Sequence, residues 1–203
     1  MFGLPKSTEI AKQLPKKAIY EKFQLKSAQR DRFDADISRI DIVNVVSSNT
    51  VPSLTEGERV KEFYVLLVTL KQEEYDEKNI MLLSKLIKQH MVFALVFEDM
   101  VRFAVVHDKF FATDCEPLAD AVLPLMGLDL DKVWEHIVIT IGGFEVLEGV
   151  TIEEQITING EKQKVIKQIE SLEKKVRAEK QPRRKYELYQ QLCELKEILK
   201  ENH

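Results

Sequence analysis

MVFALVFEDMVRFAVVH, Met91 to His107, holds two apolar runs of strand length on either side of Glu98 and Asp99. Short apolar runs broken by a polar pair read as a β-hairpin. Glu-Asp is not a pair favoured in a type I′ turn, so the turn type stays open. Upstream, EFYVLLVTL (Glu62–Leu70) is apolar on both faces and reads as a buried strand. RIDIVNVV (Arg39–Val46) alternates Ile40 and Ile42 with Arg39 and Asp41, the pattern of a partly exposed strand. SSNTVPSLTEGE, between them, is a loop rich in turn-forming residues.

Helical spacing surrounds these strands. Asp76 is placed to cap a helix from Glu77 to about Gln89, with Ile80, Leu83, Leu86 and Ile87 on one face. Pro15 can open a short helix that sets Ile19 and Phe23 on one side, and Ser27 can cap a second carrying Phe33 and Ile37. Past DKFFATDCEP, which is placed to extend the sheet, Pro117 is read as opening a helix through LADAVLPLM, kinked or cut by Pro124. Asp129 then caps a helix whose Leu130, Val133, Trp134, Ile137 and Ile141 form a stripe ended by Gly142 and Gly143. The order is α-α-β-β-α-β-β-α-α. It implies an α+β body, a small and mostly antiparallel sheet covered by helices on at least one face, followed by an antiparallel helical hairpin. The expected division is a body over 1–150, a linker or extra strand over 151–160, and a coiled-coil-like tail over 161–203.

A chain of 203 residues needs no covalent staple. Cys115 and Cys193 fall in unlike segments and belong to no CxxC pair, so neither a disulfide framework nor a zinc ribbon is expected. No signal-like leader and no apolar run near the roughly 20 residues of a membrane span is present in the sequence, which leads to a cytoplasmic expectation without membrane contact. Formal net charge is −4, unevenly spread. Seven Lys/Arg against two Glu up to Arg30, and twelve against eight from Glu161, leave basic ends around an acidic body.

Catalytic patterns are sparse. A metal-dependent nuclease needs carboxylates and a lysine converging at strand ends. Lys71 follows the second strand, yet Thr69 stands where a carboxylate belongs, Asp41 sits on the neighbouring strand and Glu62 comes too early. His90, His107 and His136 have no ligand spacing, and a pairing of Cys115 with His107 lacks a residue to orient the base. IGGF (Ile141–Phe144) is two glycines after a helical stripe, without the strand–loop–helix setting of a phosphate cradle. No catalytic or metal-ligating residue and no cofactor is therefore assigned. Lys12, Lys16, Lys17 and Lys22, with Arg183, Arg184 and Lys185 at the tail turn beside Lys180, are candidates for weak phosphate contact.

Val165, Ile169, Leu172 and Val176 repeat at four, three and four, as do Leu188, Leu192, Leu195 and Leu199. In one straight helix the second stripe would turn by about 120° from the first. Pro182 clashes inside a helix but suits a first turn, so AEKQPRR is read as the bend of a hairpin. Arms this short are marginal alone, which makes the eight seam residues candidates for self-association or partner binding, or for packing back on the body.

GLPKSTEIAKQLPKKAIYEKF, RFDADISRIDIV, YDEKNIMLLSKLI, VWEHIV and LEKKVRAEKQPRRKYELYQQL together resemble the bacterial family called domain of unknown function 4391, over nearly the whole chain. The resemblance implies genes beside the helicases and methyltransferases of type III-like restriction and phage-defence clusters. It supplies no active-site residues. The expected function is a non-enzymatic accessory protein that assembles with a larger DNA-acting partner; alternatives are a nucleic-acid-binding subunit and a divergent metal-dependent nuclease.

Overall fold

A computed structural model of the chain describes residues 1–107, 109–144, 152–179 and 181–201. In chain order, a 3-10 turn at Lys6–Thr8 leads to β1 (Glu9–Gln13), α1 (Lys16–Lys22), α2 (Ser27–Asp36), β2 (Ile37–Ser47), β3 (Glu62–Leu70) and α3 (Glu77–Leu83). Then come β4 (His90–Phe97), β5 (Met100–His107), β6 (Lys109–Ala112), β7 (Glu116–Pro117), α4 (Leu130–Gly142), α5 (Ile152–Ala178) and α6 (Pro182–Glu201). Two units result, Met1–Gly143 and Phe144–His203.

The first unit is built on a seven-stranded sheet in the order β1-β2-β3-β4-β5-β6, with β7 also on β5. β3 and β4 run parallel because α3 carries the chain back before β4 begins. The other pairings are antiparallel. Alternation along the strands separates two apolar faces. On one, Leu66, Val68, Leu70, Phe93, Leu95 and Ala104 pack with Ile19, Phe33, Ile80 and Leu83 from the first three helices. On the other, Phe63 meets Trp134 of α4 at 5.8 Å between ring centroids. Helices thus cover both faces, and β3 and β4 are apolar on both sides because both sides are buried. Each such large side chain contributes roughly 1.5–3 kcal/mol by leaving water.

Local signals set the ends. Asp76 Oδ1 accepts from the Lys78 N–H at 3.0 Å and Asp129 Oδ1 from the Lys132 N–H at 2.8 Å, each capping its helix. Gly143 ends α4 in the left-handed region at φ 62°. The β4–β5 hairpin closes through Glu98 and Asp99 between the paired Phe97 and Met100, with Glu98 at φ 52°. A positive φ at the first turn residue alone is the type II′ form, which normally favours glycine there.

Five sequence expectations are corrected. Glu9–Gln13 is an edge strand, which showed no apolar alternation because all five residues are exposed. No helix opens at Pro117: it pairs with Met100 in β7, and the Leu123 N–H is drawn to the Phe2 carbonyl, so the segment carrying Pro124 follows the sheet end. α3 stops at Leu83, where Ser84 turns its hydroxyl onto the Met81 carbonyl at 2.8 Å. Residues 152–160, read as linker or extra strand, are the first turns of α5; residue 151 lies outside the described residues. Ser27 is the first residue of α2 and Lys26 its cap position, where the Lys26 N–H donates to Gln29 Oε1 at 3.0 Å.

Candidate interaction and binding sites

In the second unit Pro182 is the first residue of α6, a position that needs no amide hydrogen. Ile169 and Leu192 are 8 % and 6 % exposed, and Val165, Leu172, Val176, Leu188 and Leu195 are half-buried. The Leu199 side chain lies outside the described residues, as does Lys180. Lys196 Nζ donates to Glu173 Oε1 at 2.7 Å. Side chains lean toward the N-terminus of their own helix, so in antiparallel arms Glu173 leans away from the turn and Lys196 toward it, and an axially offset pair meets. The hydrogen bond from Lys196 holds the Glu173 carboxyl below its ordinary range.

At 100° per residue the Tyr186–Gln190–Cys193 stripe of α6 lies opposite the Leu188–Leu192–Leu195 seam. Tyr186 is 63 % and Tyr189 54 % exposed, and the Gln190 amide donates to the Tyr186 hydroxyl at 3.3 Å. Arg183, Arg184 and Lys185 are exposed at the start of the helix. Arg183 pairs with Glu187 at 3.5 Å, and Arg184 reaches back to Glu179 at 3.6 Å.

The N-terminal lysines do not form one patch. Lys16 Nζ donates to Asp34 Oδ1 at 2.6 Å and also to the Ile37 carbonyl, and Lys22 Nζ bonds the Leu86 carbonyl. Tyr20 donates to the same Asp34 oxygen at 2.6 Å. Burial works against the Asp34 charge, yet the bonds from Lys16 and Tyr20 prevail and hold its pKa below the ordinary value. Lys12 on β1 and Lys17, 3.9 Å from Glu21, stay exposed.

The nuclease grouping does not converge. Asp41 is buried under a two-bond clamp from Arg39, at 2.6 and 2.8 Å, and stands opposite Leu67 of β3. Lys71 lies four residues further, about 13 Å along the strand, and bonds the Asp34 carbonyl at 2.5 Å. Thr69 is opposite Arg39, and the Glu62 carboxylate accepts from the Tyr64 hydroxyl at 2.8 Å. Cys115 and His107 are also apart. The Cys115 sulfur accepts from Arg102 Nη2 at 2.9 Å, and Arg102 is five residues from His107 on β5, about 17 Å.

Two recesses flank the parallel strand pair. One, of about 170 Å³, opens at the C-terminal ends of β3 and β4 and is lined by Leu70, Tyr75, Leu95, Phe97, Arg102 and Cys115. Its Arg102 is kept charged by the bond to Cys115, with Tyr75 adding to it, and burial pushes the Tyr75 hydroxyl up. The other, of about 180 Å³, lies at the start of β4 beside His90 and Trp134, whose rings meet edge to face at 4.6 Å.

A family model described as domain of unknown function (DUF4391) matches residues 2–199, across both units. The chain belongs to the domain of unknown function 4391 family. No curated protein and no solved structure matches it.

In this member of the 4391 family, judging the histidines by their spacing along the sequence missed a pairing. The register Phe97↔Met100 through Val92↔Val105, continued two residues, sets His90 opposite His107 on the α4 face of the sheet. The sequence signal was the turn at Glu98 and Asp99, which fixes every partner in the hairpin once its length is known. Asp131 was missed too. From the first turn of α4 its carboxylate accepts the backbone N–H groups of Glu58 at 2.8 Å, Arg59 at 3.1 Å and Val60 at 2.7 Å. Burial opposes its charge, and these three bonds outweigh it and lower its pKa. Among the described residues no group of three potential metal ligands is found, and no helix is long and apolar enough to cross a membrane.

Proposed function

We propose that this protein is an assembly subunit that works by binding, docking the outer face of its α5–α6 hairpin on a larger DNA-acting protein in the bacterial cytoplasm. The observation that carries the reading is the exposure of Tyr186 and Tyr189, on a helix whose seam is already occupied by Leu188, Leu192 and Leu195. Apart from the Gln190 bond to Tyr186, that tyrosine face is open among the described residues of the hairpin. Tyrosine beside arginine is the composition that dominates binding energy at protein interfaces, since both ring and guanidinium contribute large contact areas. The family resemblance points to a helicase or methyltransferase of a restriction-modification or phage-defence system as the occupant.

Affinity capture of the full chain from its host, followed by identification of what co-purifies, tests this. The expected outcome is a helicase or methyltransferase that is lost with Tyr186→Ala/Tyr189→Ala while circular dichroism is unchanged. Equal recovery with both forms would reject the tyrosine face. A nucleic-acid-binding subunit is the second reading, favoured by Arg183, Arg184 and Lys185 running directly into Tyr186 and Tyr189. It would show itself as direct DNA or RNA binding that weakens steeply with salt.

A further inference from the structure

The recess at the C-terminal ends of β3 and β4 has an apolar floor of Leu70, Leu95, Phe97 and Met100, with Met100 open to solvent at 39 %. It runs into a wider groove of about 530 Å³, the two sharing Glu73, Tyr75 and Arg102. Charge around the floor is one-sided. Glu73 and Glu98 line the recess, and Glu73, Glu74 and Glu77 line the groove, so four carboxylates stand against the single cation Arg102. None of the four carboxylates takes a hydrogen bond or an ion pair among the described residues. Arg102 does not neutralise them, because its Nε and Nη2 donate to the Cys115 sulfur at 3.2 and 2.9 Å and the guanidinium also meets Tyr75. Glu77 is suited to the first turn of α3 by the helix dipole; Glu73, Glu74 and Glu98 have no such local reason for their place.

We propose that the recess and its groove dock a basic, extended segment of a partner protein. One lysine or arginine lays its stem on the apolar floor, and its charged end, with those of its neighbours, lies among the four carboxylates. Long cationic side chains behave in this way, burying their methylenes on apolar surface while the head stays with charge or water. A recess of about 170 Å³ takes one such side chain and falls below the roughly 300 Å³ at which pockets for drug-sized molecules begin. The adjoining groove carries the negative surface past what one side chain spans, which favours a chain over a small cation. This surface lies wholly in the first unit and does not depend on the tyrosine face of α6, so either reading can fail without the other.

Fluorescence anisotropy of a short labelled peptide alternating lysine and alanine, titrated with the full-length protein, reads the binding. The same peptide with glutamate for lysine, and spermidine as competitor, are the comparisons. Saturable binding of the lysine peptide is expected, falling with added salt and weakened roughly tenfold in Glu73→Gln/Glu98→Gly. Glycine suits the φ of 52° at position 98, so this variant should melt no lower than the unaltered protein. Met100→Gln, a change at the exposed part of the floor, should weaken binding with every carboxylate still in place. Asp31→Asn/Glu58→Gln removes the same charge from two exposed positions outside the lining and should leave the affinity unchanged. The proposal is overturned by no saturable binding, by unaltered affinity in Glu73→Gln/Glu98→Gly, or by equal weakening in the two charge-removing pairs. Tighter binding of the glutamate peptide, which would give the recess to an anion at Arg102, overturns it too, as does spermidine binding as tightly as the lysine peptide.

Discussion

Lys196 of α6 reaches Glu173 of α5 across 2.7 Å, tying the two arms of the hairpin at a point well away from their turn. The Lys196 and Glu173 side chains keep 48 % and 33 % of their surface in water, and ion pairs this open contribute little. The apolar seam at Ile169 and Leu192 is what holds the arms together.

Changing Lys196→Met should therefore leave hydrogen-exchange protection of α5 and α6 almost unaltered. Leu188→Lys with Leu192→Lys should collapse it, because a charge at the buried Leu192 position costs several kcal/mol and arms of this length cannot offset that. Loss of protection in Lys196→Met with retention in the double variant would reverse the assignment.

Gly57 stands where a Cβ would lie 2.2 Å from Asp131 Oδ1 and 2.7 Å from the Asp131 amide nitrogen. Gly57→Ala must push the loop off the start of α4, with an expected loss of roughly 1–3 kcal/mol in denaturant unfolding. Asp131→Ala should also destabilise, since the N–H groups of Glu58, Arg59 and Val60 lose their acceptor. Wild-type stability in Gly57→Ala would show that the loop is not held this closely.

Acidification should weaken the fold in two stages. His90 binds its proton less readily when folded than its ordinary value of 6.5, so the unfolded chain takes up more protons as pH falls below about 6.5 and stability declines. Asp131 and Asp34 are held below 3.8, so their contribution, full above that value, is lost as pH falls through their lowered folded values. Thermal melts against pH check this, and His90→Gln should flatten the first stage while keeping the second.

The N-terminal lysines divide by their partners. Lys16→Ala and Lys22→Ala should lower the melting temperature, because each removes a tie between α1 and another segment, whereas Lys12→Ala and Lys17→Ala should not. Any phosphate-dependent binding should respond to Arg183→Ala or Lys185→Ala more than to Lys12→Ala or Lys17→Ala, which electrophoretic shifts at several salt concentrations would read.

Strands β2 to β5 were legible because burial imposes either alternation or unbroken apolarity, and α4 because its cap, stripe and terminal glycines agree. The hairpin was legible from two heptad stripes whose phases conflict unless Pro182 breaks them. β1 was not, because an exposed edge strand has no burial pattern to display. The stretch after Pro117 was misread because Leu118, Val122 and Leu125 keep helical spacing although Pro124 and the pull of the Phe2 carbonyl forbid the helix. Recess-lining residues such as Arg102, Cys115 and Trp134 come from distant segments, and only register brings them to their partners. Asp131 carries no motif; its role exists only once the loop at Gly57 folds over it.

The most direct measurement places a photoreactive phenylalanine derivative at position 186 or 189 of the full chain in its host, with exposed Ser38 on β2 as the comparison position. A DNA-acting protein, helicase or methyltransferase, should be crosslinked from 186 and 189 and not from 38. Crosslinks to nucleic acid alone, the same products from all three positions, or none from the α6 positions would contradict it.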